Sequence, residues 1–470
     1  MIKGGANNRD VKKINRIRTM RSIFACERIS QPELAAKVGN SWPTVLQNVK
    51  ELMEMGLVQE VGTFESTGGR KAKAFAPVRN ARYAVGLEIT QNHIGAVLVD
   101  LSGELVRFER KKRPFERCDA YAAGLAELVK SLLEKEGCPT ETVLGVGISL
   151  PGILDRDEKT LVYSHALGLR GVPVEEFSRC IPFPCRFIND ANAAGLAEIR
   201  GRENLHSLVY LSLSNSVGGS IFTGGSLYAG EHLRAGEFGH MTLVPDGRSC
   251  YCGKRGCVDA YCSAKVLSAL TGGNLALFFD GLRARDRTLQ AAWDEYLAHL
   301  AVAVNNLRMI FDCDVIVGGY VGGFLSEFGA PLRELLARHN TFEPDSSYLK
   351  FSRYQLESSA LGAALVQVVQ MHAAPKARVS STNIRHAAST RSTAASQKRP
   401  VASTPSPRSV ISVCLDDSTI APPSTWANTS RDDTVPRSIA ATLYRLQPAI
   451  AESPLGAIRR WTRPSDPRRR

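Results

Sequence analysis

The chain has 470 residues, is 44% hydrophobic and carries a formal net charge of +13 at pH 7, enough for two or three domains. It has no apolar run of transmembrane length, no basic-then-apolar leader, and eleven cysteines in no secreted-framework spacing. These features exclude membrane insertion and a disulfide scaffold, and they point to a soluble protein of a reducing cytoplasm.

The charge is unevenly distributed. Residues 1 to 80 carry 14 Lys/Arg against 7 Asp/Glu, residues 371 to 470 carry 16 against 6, and the body between them is mildly acidic. Basicity at the ends marks them as candidates for nucleic-acid contact.

In chain order, Lys12 to Phe24 reads as a helix with Ile14, Ile17 and Phe24 close to one face. Ser30 and Glu33 have capping-box spacing with Pro32 in the first turn, so a second helix starts there, with Leu34 and Val38 inward and Gly39 at its end. Ser41 is placed to cap a third helix, in which Val45, Val49 and Leu52 face inward while Thr44, Gln47, Asn48 and Glu51 face out. Leu57 to Phe75 then reads as two strands around a glycine-bent tip bearing Arg70 and Lys71. The pattern over residues 1–80 is a winged helix-turn-helix. Ser41, Thr44, Gln47 and Asn48 are the candidate groove contacts, and Arg70 and Lys71 are candidates for phosphates or the minor groove of an operator duplex. A three-helix protein-docking module has the same apolar pattern, but the basic wing favours DNA.

From Tyr83 onward, short apolar strands alternate with helical stretches, the signature of an α/β body. Asn189-Asp190 and Gly236-Glu237-Phe238-Gly239-His240 fall on turns between apolar strands, where amides and carboxylates suit recognition of hydroxyls. A plainer role for Asn189 and Asp190 is to cap the following helix. His240 precedes Cys250, Cys252 and Cys257 by ten, twelve and seventeen residues. One imidazole and three thiolates can close a tetrahedral shell around zinc, and a closed shell implies a structural ion. Gly253 and Gly256 allow the tight fold that would face the thiols toward one ion. The alternative is a set of buried thiols and a satisfied histidine.

Residues 373–470 are rich in Ser, Thr, Ala, Pro and Arg and lack periodic apolar positions. They read as a disordered basic tail or a misread end.

Gly147-Ile148-Ser149-Leu150-Pro151-Gly152, Asn189-Asp190-Ala191-Asn192, Gly236 to His240, the cysteine run and Ala360-Leu361-Gly362-Ala363-Ala364 resemble, in order and spacing, the ROK family of repressors, open reading frames and sugar kinases. The winged head makes the chain similar to that family's transcriptional branch, which includes xylose and N-acetylglucosamine repressors. The resemblance implies a two-lobed, actin-like ATPase-type fold over 81–372. One lobe would take 81–190 with a closing helix at 358–371, and the other 191–357. It also implies Asn189, Asp190, Glu237, His240 and Asp259 as sugar contacts, Asp259 standing where a glutamate is usual. In a kinase, Asp190 would be the general base.

The family's kinases carry Asp-x-Gly-Gly-Thr after their first strand, whereas this chain has Glu88-Ile89-Thr90-Gln91-Asn92. Ser214-Asn215-Ser216 replaces a second phosphate loop, although Gly318-Gly319 matches the adenosine-side turn. Two altered loops argue against ATP and magnesium binding. The expected function is therefore a sugar-responsive regulator, most simply a repressor of carbohydrate genes, with a sugar or sugar phosphate effector. It is expected to act as a homodimer or homotetramer, and a transport protein is a conceivable second partner. The rival is a DNA-binding sugar kinase.

Overall fold

The computed structural model of the chain describes residues 8–64, 72–200, 202 and 207–373. Arg70, Lys71 and the expected tail beyond residue 373 lie outside the described residues. Among the described residues, no helix is long and apolar enough to cross a membrane.

The head comprises α1 (Asn8–Phe24), β1 (Ile29–Ser30), α2 (Gln31–Val38), α3 (Trp42–Glu54), β2 (Val58–Thr63) and β3 (Lys73–Pro77), with its strands in the antiparallel order β1-β3-β2. The α2 start is a complete capping box, in which Ser30 accepts from the Glu33 N–H and Glu33 returns to the Ser30 N–H. Gly39 ends α2 at φ 67°, a conformation that costs glycine little. Ser41 is the N-cap of α3 but makes no side-chain cap; its hydroxyl bonds that of Thr44 at 2.9 Å.

Three sequence expectations fail in the head. The buried face of α1 is Thr19, Met20 and Ile23, whereas Ile14 is 46% exposed. Asn48 does not face outward. It is 1% exposed and donates to the Thr19 hydroxyl at 3.1 Å. Glu51 also turns inward, to Lys12 and Arg16, each at 2.8 Å. The physical reason is the polar Thr19 on α1, which provides a hydrogen-bond partner inside the three-helix core.

The body begins with β4 (Tyr83–Ile89), β5 (His93–Asp100), β6 (Leu105–Lys112), α4 (Asp119–Lys135) and β7 (Val143–Leu150). Then come β8 (Ile153–Leu154), β9 (Thr160–Ser164), β10 (Leu169–Pro173), α5 (Glu175–Ser178), β11 (Cys185–Asn189) and α6 (Asp190–Ile199). The next lobe starts with β12 (Leu208–Leu213), β13 (Val217–Thr223), β14 (Ser226–Leu227), α7 (Asp259–Cys262), α8 (Ala264–Ser268), α9 (Leu275–Arg283) and α10 (Arg287–Phe311). It ends with β15 (Asp314–Gly318), α11 (Gly319–Gly322), α12 (Leu325–Phe328), α13 (Ala330–His339) and β16 (Leu349–Phe351), and α14 (Ser358–Ala373) follows.

The two large sheets have one topology. Their orders, β6-β5-β4-β7-β11 and β14-β13-β12-β15-β16, each combine an antiparallel three-strand meander with two parallel strands. Each sheet carries its own buried apolar core.

Helix α14 returns to the first sheet, and two glycines let it lie directly on the strands. A Cβ at Gly86 would come within 1.9 Å of the Ala360 carbonyl oxygen, and one at Gly147 within 1.9 Å of that of Ala363. The far end of α14 reaches the head. Met371 and Leu144 pack against the winged-helix core, and Leu101 is fully buried within it.

Candidate functional site

The turn after β11 carries Asn189 and Asp190 at the start of α6. Asn189 accepts from the Asn192 N–H and donates to the Gly152 carbonyl, both at 3.0 Å, so it caps α6 and ties it to the Pro151-Gly152 turn. The helix-capping role is therefore present for Asn189. Asp190 accepts from the Ala191 N–H at 2.9 Å through Oδ1. Burial pushes its carboxyl up to about 6, and the negative charge of Glu237 adds to the rise. Glu237 is itself raised by desolvation, against the pull of Arg234. Asp190 and Glu237 thus share one field.

Asp259 does not share that arrangement freely. Its side chain is 5% exposed and accepts the Val217 N–H at 2.6 Å, which anchors the first residue of β13. Through that bond Asp259 anchors the main chain at the start of β13.

The metal-type residues come together. The ligand atoms of His240, Cys250, Cys252 and Cys257 all lie within 4.8 Å of one another, with Cys252 and Cys257 Sγ 3.7 Å apart and Cys250 Sγ 4.0 Å from His240 Nδ1. A tetrahedral ion with Zn–S bonds of ~2.3 Å would hold two sulfurs ~3.8 Å apart, so the donor set fits such an ion. Gly256 is obligatory for this knuckle, with φ 77° and room for no Cβ beside the Val244 carbonyl. Burial lowers His240, which favours the neutral imidazole that ligates.

One knuckle residue whose importance was not evident in the sequence is Tyr251. Its ring stacks on His165 of the first lobe with centroids 4.1 Å apart, and meets His240 edge-on at 5.4 Å. It lies between Cys250 and Cys252, so its position was legible, but its partner across the lobes was not.

The β4–β5 turn and the turn after β15, where the family resemblance would put nucleotide contacts, are tied by internal hydrogen bonds. In the β4–β5 turn, the Thr90 N–H bonds the His93 carbonyl at 3.0 Å, and the Thr90 hydroxyl accepts the His93 N–H. Glu88, Gly95 and Arg110 are direct cross-strand neighbours on β4, β5 and β6 and so share one face. Glu88 is 7% exposed and reaches over Gly95, which has no side chain to obstruct it. Burial pushes its carboxyl up to about 7 against the attraction of Arg110. Arg110 donates to the Tyr320 hydroxyl of α11 at 3.2 Å and lies 5.5 Å from the ring centroid. The Gly319 N–H, on the adenosine-side turn, is taken by the Tyr210 hydroxyl at 3.1 Å.

The ROK family profile spans residues 84–368, and a winged helix-turn-helix DNA-binding profile spans residues 13–59. The chain belongs to the ROK family.

Among ROK relatives, the xylose repressor of Bacillus spizizenii is 28% identical over 260 residues, covering 55% of this chain and 67% of the relative. The xylose repressor of Caldicellulosiruptor bescii is 25% identical over 390 residues, covering 77% and 97%. An N-acetyl-D-glucosamine kinase of Escherichia coli is 30% identical over 279 residues, covering 54% and 89%. The fold is shared with a crystallised ROK family transcriptional regulator described as a homolog of the E. coli MLC protein, with TM-score 0.62, 19% identity, and coverage of 77% of this chain and 98% of that one. A Streptomyces griseus ROK glucokinase with glucose and AMPPNP aligns with TM-score 0.51 at 24% identity, covering 60% and 98%.

Proposed function

We propose that the chain is a sugar-responsive transcriptional repressor that binds operator DNA through the winged head and a sugar in the cleft of the ROK body. The observation that carries this reading is the continuity of the head with the sugar-type lobe. Leu101 of the body is buried in the winged-helix core, and Leu144 and Met371 pack against it. A rearrangement of the first sheet or of α14 therefore moves the head, whereas a tethered head would be indifferent to it. Relatives named xylose repressor support a monosaccharide effector.

In this mechanism Asp190 and Glu237 accept sugar hydroxyls, and Asn189 shapes the Gly152 turn around them. His240 and the three cysteines hold a structural zinc ion, whose part is to fix the knuckle that carries Tyr251 against His165. Ser359 donates to the Asp190 carbonyl at 3.1 Å, which places the start of α14 at the sugar turn and its end at the head. A sugar that binds two lobe arrangements unequally shifts the position of the head in proportion to that difference. The reading places the protein in the cytoplasm as a dimer on paired half-sites.

The kinase reading retains one observation in its favour, an Asp190 carboxyl raised to about 6 at the position of a general base. Against it stand the closed Thr90 turn, Arg110 against Tyr320, and the occupied Gly319 amide. Sugar-dependent ADP release, measured in a coupled assay with ATP and magnesium, separates the readings: the repressor gives none.

A further inference from the structure

The outward face of α3 differs from the one read in the sequence. With Asn48 and Glu51 turned inward, the exposed side chains of α3 are Pro43, Leu46, Gln47 and Lys50 in its first three turns and Met53 and Glu54 at its end. Leu46 is 45% exposed, although α3 already has a complete apolar seam of Val45, Val49 and Leu52 on its other side. An aliphatic side chain there contributes nothing to the head's core. It lies in the first half of the helix, where a helix-turn-helix meets base edges, beside an exposed lysine and within a head whose net charge suits a polyanion.

We propose that Leu46 is a specificity-determining residue that packs against the 5-methyl group of a thymine in the major groove, with Gln47 beside it addressing an adenine. The proposal rests on the DNA-binding reading. Its chemistry is the apolar face that only thymine presents in the groove, next to a carboxamide matched to adenine N6 and N7. In the free protein the Gln47 amide donates to Glu51 at 3.2 Å. Glu51 is held well down, at about 2, by Lys12, Arg16 and Gln47. Gln47 is thereby pre-oriented on the exposed face and has one solvent-exposed bond to exchange for a base.

The test uses the full chain and a random duplex library at fixed salt. The enriched duplex is then rebuilt with deoxyuridine replacing each thymine in turn, which removes only the methyl group. The expected result is one position at which the replacement weakens wild-type binding about fourfold, the worth of one buried methyl group. At that position Leu46→Ala binds both duplexes alike. Leu46→Ala should melt with the wild type, since its side chain is exposed, and Gln47→Ala should relax selection for the adjacent adenine. If Leu46→Ala keeps the full response to deoxyuridine, or if it enriches the same sequence with equal affinity, the proposal is overturned. Loss of a dimer in Leu46→Ala would assign the side chain to a protein contact and also overturn it. A wild-type chain that enriches no sequence would instead overturn the DNA-binding reading beneath it.

Discussion

Arg110 on β6 donates to the hydroxyl of Tyr320 on α11 at 3.2 Å, so the edge of one sheet is joined to the turn that follows β15 in the other. Glu88 lies on the same face of the first sheet as this guanidinium, one strand beyond Gly95.

Breaking that connection should loosen the lobes measurably. Tyr320→Phe removes one hydrogen bond from a charged donor and should cost about 1 kcal/mol, read from the denaturant midpoint. Arg110→Ala should cost more, about 2 kcal/mol, because it also removes the ring contact with Tyr320 and leaves the Tyr320 hydroxyl without its donor. A double-mutant cycle in which the two costs simply add would show that the contact contributes nothing.

Glu88 makes stability depend on pH in an identifiable direction. Its folded carboxyl is pushed up to about 7 from an ordinary value of 4.5, chiefly by burial, with Asp190 and Glu357 adding to the rise and Arg110 and Ser359 opposing it. The folded state therefore holds the proton more tightly than the unfolded chain. The stabilisation is fully present below about 4.5 and is lost as pH rises through 7, amounting to at most about 3 kcal/mol. Unfolding titrations of wild type and Glu88→Gln across pH 5–8 should diverge, with the variant flatter. Parallel curves would contradict this.

The metal knuckle should be structural. The purified chain should carry about one zinc ion per subunit, and Cys257→Ser, at a fully buried ligand, should lose it along with several degrees of thermal stability. Elemental analysis and melting curves provide the check, and a metal-free wild type of unchanged stability would reject the site.

Asn48 and Gln47 should separate structure from recognition. Asn48→Ala removes a buried hydrogen bond to Thr19 and should destabilise the head by about 1–2 kcal/mol, weakening binding to every DNA sequence alike. Gln47→Ala should leave the melting temperature unchanged and alter base preference.

Much of this was legible in the sequence because it rests on local rules. Ser30, Glu33 and Gly39 announce α2, Gly253 and Gly256 announce the knuckle, and the strand alternation after Tyr83 announces an α/β body. What was hidden depends on partners distant in sequence. Nothing near Asn48 shows that Thr19 waits for it on another helix. Nothing near Asp259 shows that it accepts from the Val217 amide of β13, 42 positions earlier. Arg110 is one basic residue among several on β6, and its meaning comes from Tyr320, 210 positions later. Lys50 and Leu46 sit at helical spacing beside Gln47, yet they stand out as the outward face only once Thr19 draws Asn48 inward.

The most direct measurement captures genomic fragments with the full chain and titrates the recovered duplex with and without saturating sugars, in the absence of nucleotide. At least one monosaccharide should weaken operator binding by about fivefold or more, the lower range of allosteric coupling, with no ADP formed when ATP and magnesium are then supplied. An operator affinity unchanged by a sugar that demonstrably binds, or nucleotide turnover stimulated by that sugar, would contradict the account.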